Sequence, residues 1–89
     1  MKRIVLTEET CPTKECLHRY IADQFGFPSW YGENLDALFD CLTDVNEDTS
    51  IHVPSVDGLE EVMGPYARRL MRVLVEASSE NPCIQLTAD

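Results

Sequence analysis

The sequence predicts an α/β fold: a small three-stranded parallel sheet packed with about four helices, in the order β-α-α-β-α-α-β. Three observations carry this. Short apolar runs that suit strands occur at residues 2–7, 50–53 and 83–87. The gaps between them, about 40 and about 30 residues, are crossovers rather than hairpins, and crossovers make neighbouring strands parallel. Both gaps carry apolar residues at helical spacing.

The elements follow in order. Ile4-Val5-Leu6 is a continuous apolar run, as in a buried strand. Thr13 is placed to cap a helix from Lys14, with Leu17, Tyr20 and Ile21 on its stripe and Gly26 to end it. Residues 27–33, FPSWYGE, form a loop of turn formers that holds three aromatics. Asn34 caps the second helix, whose Leu35, Leu38, Phe39 and Leu42 fall at i, i+3, i+4 and i+7. Ser50 to Val53 is a strand stopped by Pro54. Asp57 to Met63 is a short helix closed by Gly64. Pro65 opens a longer helix from the position proline favours, with Tyr66, Leu70, Val73, Leu74 and Ala77 as its stripe. Asn81-Pro82 breaks it, and Cys83 to Thr87 closes the sheet.

Eighty-nine residues with 44% apolar content make one domain, 1–89, with a modest core. No run approaches the roughly 20 apolar residues that span a bilayer, and the N-terminal segment is too short for a signal-peptide core. A cytoplasmic chain with reduced thiols is expected. Cys41 and Cys83 are read as core filling; Cys11 and Cys16 are left open to partial exposure. The net charge of −9 repels nucleic acid and anionic membranes and attracts basic partners. No cofactor or metal is expected. Asp44-x-Asn46-x-Asp48-x-Ser50 begins like a calcium loop, but Thr49 replaces its glycine and Ser55 its final glutamate.

The charge is unevenly placed. From Tyr20 through Ala67 there is no Lys or Arg, while ten acids occur: Asp23, Glu33, Asp36, Asp40, Asp44, Glu47, Asp48, Asp57, Glu60 and Glu61. Asp36 and Asp40 lie one helical turn apart, opposite the apolar stripe, and repel by roughly 0.2–0.5 kcal/mol. Asp44 continues their line. Asp36 has a structural reason in the N-terminal end of the helix dipole; Asp40 has none. A solvated polar face is the ordinary reading of such a row. The preceding loop argues for a binding surface instead, because Trp30 and Tyr31 beside Gly32 are residues typical of binding hot spots. One of the two rings is expected to tuck under the loop. Glu76 and Glu80 form a second acidic pair, with Arg72–Glu76 a candidate surface ion pair. Catalysis by paired carboxylates requires contrasting environments, which Asp36 and Asp40 lack. No nucleophile elbow or phosphate-cradling loop occurs, and His18 and His52 fall within helix and strand patterns. The chain is not expected to be an enzyme.

The stretch PSWYGENLDALFDCLTD closely resembles the barstar family of ribonuclease inhibitors, whose segment runs Pro-x-Tyr-Tyr-Gly-Glu-Asn-Leu-Asp-Ala-Leu-Trp-Asp-Cys-Leu-Thr. LHRYIADQFGFP and VEASSENPCIQL are similar to the family's first helix and to its last helix and strand. The resemblance implies a monomer when free and a 1:1 complex with a basic, barnase-like ribonuclease. The second helix and its loop would plug the enzyme's active site, as an immunity protein or antitoxin. Asp40 would sit where a substrate phosphate sits, Asp36 would pair with a neighbouring base, and Trp30 would cover a catalytic imidazole. Tyr31, Gly32, Asn34, Leu35, Phe39, Thr43 and Asp44 would line the contact, with Glu76 and Glu80 at the rim. Phe39 replaces the family's tryptophan and Asp44-Val45 its Gly-Trp, so the cognate ribonuclease is expected to differ from barnase. The alternative is an acidic interaction module on the same fold, with a basic partner that is not a nuclease.

Overall fold

A computed structural model describes residues 1–88; Asp89, the last residue of the expected domain, lies outside the described residues. The elements are β1 (Lys2–Val5), α1 (Lys14–Phe25), α2 (Leu35–Thr43), β2 (Thr49–Val53), α3 (Val56–Met63), α4 (Tyr66–Glu80) and β3 (Ile84–Ala88). The three strands form one parallel sheet in spatial order β1-β2-β3, with Ile4 beside Ile51 and Ile51 beside Leu86. The expected architecture and element order are thus observed.

Burial alternates along the strands. Ile4, Thr49, Ile51, Val53 and Ile84 are buried, whereas Arg3, Val5, Gln85 and Thr87 are exposed. One face of the sheet therefore carries the core and the other meets solvent. This corrects the reading of Ile4-Val5-Leu6 as wholly buried: Val5 is 40% exposed, because the helices cover only one side. Parallel sheets are usually covered on both faces.

Local chemistry sets most boundaries. Thr13 accepts from the backbone N–H of Cys16, Asn34 from that of Ala37, and Ser55 from that of Gly58. The Ser55 cap starts α3 one residue earlier than expected. Gly26 ends α1 at φ 68°, in the left-handed region open to glycine. Pro65 stands one place outside α4, as its cap residue, without a side-chain capping bond.

The core joins Ile4, Leu6, Leu17, Ile21, Leu38, Leu42, Ile51, Leu59, Leu70 and Leu74. On α4 the innermost residues are Ala67, Leu70, Leu74 and Ala77, with Tyr66 and Val73 only partly buried. Helix α4 packs against α2, α3 and β3. The cysteines depart from expectation: Cys11 is fully buried, whereas Cys41 and Cys83, read as core filling, are half-buried like Cys16. All four are free thiols. Burial raises the Cys11 thiol above its usual range.

Candidate functional site

Helix α2 is fixed along its apolar side and at both ends, leaving its acidic side outward. Leu38 and Leu42 are fully buried; Leu35 and Phe39 border the core. Asp36, Asp40 and Asp44 are exposed. Among the described residues none of the three has an ion-pair partner; the pairs formed are Lys2–Glu47, Arg68–Asp57 and Arg68–Glu60. The nearby Cys41 thiol is raised by burial and then by Asp40 and Asp44, which disfavours a thiolate there.

At the N-terminal end, Asn34 Oδ1 accepts from the Ala37 N–H at 2.8 Å, and its Nδ2 donates to the Gly32 carbonyl at 3.2 Å. Gly32 packs closely here: a Cβ there would stand 3.0 Å from Asn34 Nδ2, which would have to shift by a few tenths of an ångström, and 3.5 Å from the Ala37 Cβ, an ordinary contact. Glu33 turns the chain between them with φ 51°, the one non-glycine residue described in the left-handed region. At the other end, buried Asn81 donates through Nδ2 to the Leu42 carbonyl at 2.9 Å and to the Val45 carbonyl at 2.7 Å. Its Oδ1 accepts from the Cys83 N–H at 3.0 Å. These bonds tie the turn after α2 to the end of α4; the Leu42 carbonyl also accepts from the Val45 N–H at 3.2 Å. Reading Asn81-Pro82 only as a helix breaker missed this staple. A buried asparagine contacting residues about 40 positions away has no local signal.

The loop before α2 separates its two neighbouring aromatics. Trp30 is 78% exposed, while Tyr31 is 7% exposed. The expected tucked ring is thus Tyr31, and its side chain is not part of the free surface. Its hydroxyl lies 2.6 Å from His18 Nδ1, and His18 Nε2 lies 2.6 Å from the Tyr66 hydroxyl. Phe25 stacks on Phe27, and Phe27 packs on Tyr31, so a row of rings floors the loop while Trp30 stands outside it. Burial lowers the His18 pKa and raises those of Tyr31 and Tyr66. His18 is the structural histidine the sequence suggested, though its two tyrosine partners were not foreseen.

Beside Trp30 lies an open groove of about 320 Å³, between Phe27 and Pro28 on one wall and Cys41, Asp44 and Glu47 on the other. Lys2 closes on this region from behind: its Nζ donates to the Gln24 carbonyl, pairs with Glu47 at 3.5 Å and lies over the Phe25 ring. Among the described residues, Asp44 is the carboxylate of the groove that forms no ion pair.

Of the remaining expected residues, Gly32 and Asn34 are exposed and Thr43 is half-buried, its hydroxyl donating to the Asp40 carbonyl at 2.9 Å. Glu76 and Glu80 are exposed on α4, the helix against which α2 packs. The candidate Arg72–Glu76 ion pair is not formed. Among the described residues no helix is long and apolar enough to cross a membrane.

Comparison with known proteins identifies the family. A family model described as Barstar (barnase inhibitor) matches residues 1–87. A protein of Bacillus subtilis (strain 168) named "Putative ribonuclease inhibitor YrdF" is 33% identical over 81 residues, covering 90% of this chain and 89% of that protein. The chain therefore belongs to the barstar family, the barnase inhibitors, and so to a family of protein inhibitors rather than enzymes.

Proposed function

We propose that this protein inhibits a basic, barnase-like ribonuclease by laying α2 and the Trp30 loop over the enzyme's cationic active site. The carrying observation is a row of exposed carboxylates, Asp36, Asp40 and Asp44, that forms no ion pair among the described residues and lies beside a 78% exposed indole. A ribonuclease holds a polyanion with clustered Arg, Lys and His. Carboxylates on a rigid helix present that cluster with charges it is built to bind, without a scissile bond.

Asp40 occupies a phosphate position and accepts hydrogen bonds from the enzyme's cationic groups, and Asp36 pairs with a base beside them. Trp30 covers the catalytic imidazole. Gly32, Asn34, Leu35, Phe39 and Thr43 line the contact, and Glu76 and Glu80 meet arginines at its edge. The groove between Trp30 and Asp44 receives one further basic side chain. This is where the chain departs from the family's Gly-Trp pair, so the partner is a ribonuclease other than barnase itself. The inhibitor is a monomer that forms a 1:1 complex inside the cell that makes or receives the toxin. Opposite net charges speed encounter, and screening slows it once the Debye length falls to about 10 Å at 0.1 M salt.

Titration against a panel of barnase-like ribonucleases tests this. Activity of at least one member should fall linearly to zero at one equivalent of inhibitor. Full activity of every member under excess inhibitor overturns the reading.

A further inference from the structure

The Tyr31–His18–Tyr66 clasp has no place in the contact surface. Tyr31 and His18 are 7% and 1% exposed, and Tyr66 is half-buried on a different helix. Yet the clasp ties the inhibitory loop to two helices that lie elsewhere in the chain. Tyr31 comes from the loop, His18 from α1 and Tyr66 from α4, and both bonds measure 2.6 Å. The neutral imidazole donates to one hydroxyl and accepts from the other, so every polar atom in the array is satisfied; no buried side-chain N or O among the described residues lacks a partner. The residue immediately before Tyr31 is Trp30, the protein's single tryptophan. The residues after it are Gly32, packed on Asn34, and Glu33, in the left-handed region. Fixing Tyr31 therefore fixes the backbone from which the indole projects on one side and the α2 cap begins on the other.

We propose that His18 and Tyr66 are positioning residues for inhibition: through Tyr31 they hold the Trp30 loop in its binding conformation before the ribonuclease arrives. This rests on the inhibitory reading above. Binding to a loop that is competent only part of the time weakens apparent affinity by the competent fraction. Pre-organisation removes that loss and the ordering entropy that contact would otherwise incur. An exposed tryptophan on a free loop would sample many positions. Here the ring row from Phe25 to Tyr66 gives its backbone a floor and the two short hydrogen bonds give it an anchor.

Tyr66→Phe is the decisive variant, because it keeps the ring and the helix and deletes only the hydroxyl that orients His18. His18→Gln is the second, retaining a donor and an acceptor with a different reach. In the free Tyr66→Phe protein, amide exchange across residues 29–33 should quicken about tenfold, with exchange in β2 and α4 unchanged. Trp30 fluorescence anisotropy should fall. Affinity for a ribonuclease that the wild type inhibits should drop about tenfold, and this effect should shrink towards none in a Trp30→Ala background. His18→Gln should fall between wild type and Tyr66→Phe in each measurement. Unchanged loop exchange and anisotropy overturn the proposal. So does an affinity loss of the same size with and without Trp30, which is the mark of a merely structural role. Should no ribonuclease be inhibited by the wild type, the functional reading fails on its own, and the exchange and anisotropy measurements still decide whether the clasp orders the loop.

Discussion

Two acidic regions of this molecule are treated in opposite ways. Where α3 meets α4, Arg68 donates from Nε to Glu60 Oε2 at 2.9 Å and lies 3.5 Å from Asp57 through Nη2. The hydrogen bond from Arg68 holds the Glu60 carboxyl below its ordinary range, and the same bond raises the guanidinium. On α2 and its C-terminal cap, Asp36, Asp40 and Asp44 follow one another at helical spacing, and among the described residues none of them forms an ion pair. Both regions are exposed, so neither arrangement matters much to the fold. The difference lies in availability. A carboxylate already held by arginine has lost much of its field; three unpaired ones on a fixed helix add theirs together.

The sharpest way to break this comparison is to neutralise one acid on each side. Asp40→Ala should weaken ribonuclease binding by about 2–5 kcal/mol, the range for stranding one buried charge partner, to which barstar-type complexes themselves contribute. Its melting temperature should hold or rise slightly, because like charges four apart on a helix repel by about 0.2–0.5 kcal/mol. Asp57→Ala should leave binding unchanged. Titration calorimetry with parallel thermal melts checks both. Equal binding effects at the two positions would show that net charge, rather than the unpaired row, drives association.

The next largest effect concerns rigidity. Asn81→Ala removes both donors to the Leu42 and Val45 carbonyls and the acceptor for the Cys83 N–H. The Leu42 carbonyl keeps its bond from the Val45 N–H, but the Val45 carbonyl and the Cys83 N–H lose their Asn81 partner, which should lower stability by about 1–2 kcal/mol, seen as a lower urea midpoint at constant slope. The Arg68 corner should show no comparable sensitivity, since its groups can turn to water.

A smaller, pH-dependent effect sits at the other end of α2. Burial lowers the His18 pKa; Glu33 on the loop and Glu15 on α1 oppose this, while Lys14 on α1 reinforces it. The Tyr31 and Tyr66 hydroxyls face the ring directly, with Arg69 beside Tyr66 on α4. The folded chain therefore binds fewer protons at this site than the unfolded chain, and stability rises with pH through that window. The contribution is present above the ordinary histidine range, about 6.5, and is lost as pH falls from there towards the lowered folded value. Urea denaturation at pH 7.5 and pH 5 should show a steeper loss for wild type than for His18→Gln.

The fold was legible because its signals are local. Thr13, Gly26, Asn34 and Gly64 mark helix ends where the structure has them, and the crossover lengths dictate parallel strands. The acidic row was legible for the same reason, since helical spacing decides what faces outward; the loop aromatics were legible only as a pair, and the fold decides that Trp30 is the exposed one and Tyr31 the buried one. The supports of the site were not. His18 meets Tyr66 across 48 positions and Asn81 meets Leu42 across 39, and nothing near either residue marks its partner. The open sheet face and the burial of Cys11 are likewise tertiary outcomes, set by which side of the sheet the helices cover.

The smallest expected effect tests whether the loop's geometry matters as much as its charge. Glu33 sits at φ 51°, between Gly32 and the Asn34 cap. A side chain in the left-handed region costs roughly 1–2 kcal/mol, and glycine avoids this while adding about 0.5–1 kcal/mol of unfolded-state entropy. Glu33→Gly should therefore stabilise the chain by up to about 1.5 kcal/mol, the difference between those two terms. Affinity should move the other way, because glycine admits conformations that the glutamate excludes and loosens the turn between Tyr31 and α2. Glu33→Gln separates the charge from the backbone: it keeps the strain and removes only the carboxylate. If Glu33→Gly and Glu33→Gln weaken binding equally, the carboxylate is what the ribonuclease feels. If only Glu33→Gly weakens it while the urea midpoint rises, the strained turn is retained for the shape it imposes on the site, as strain at functional sites generally is.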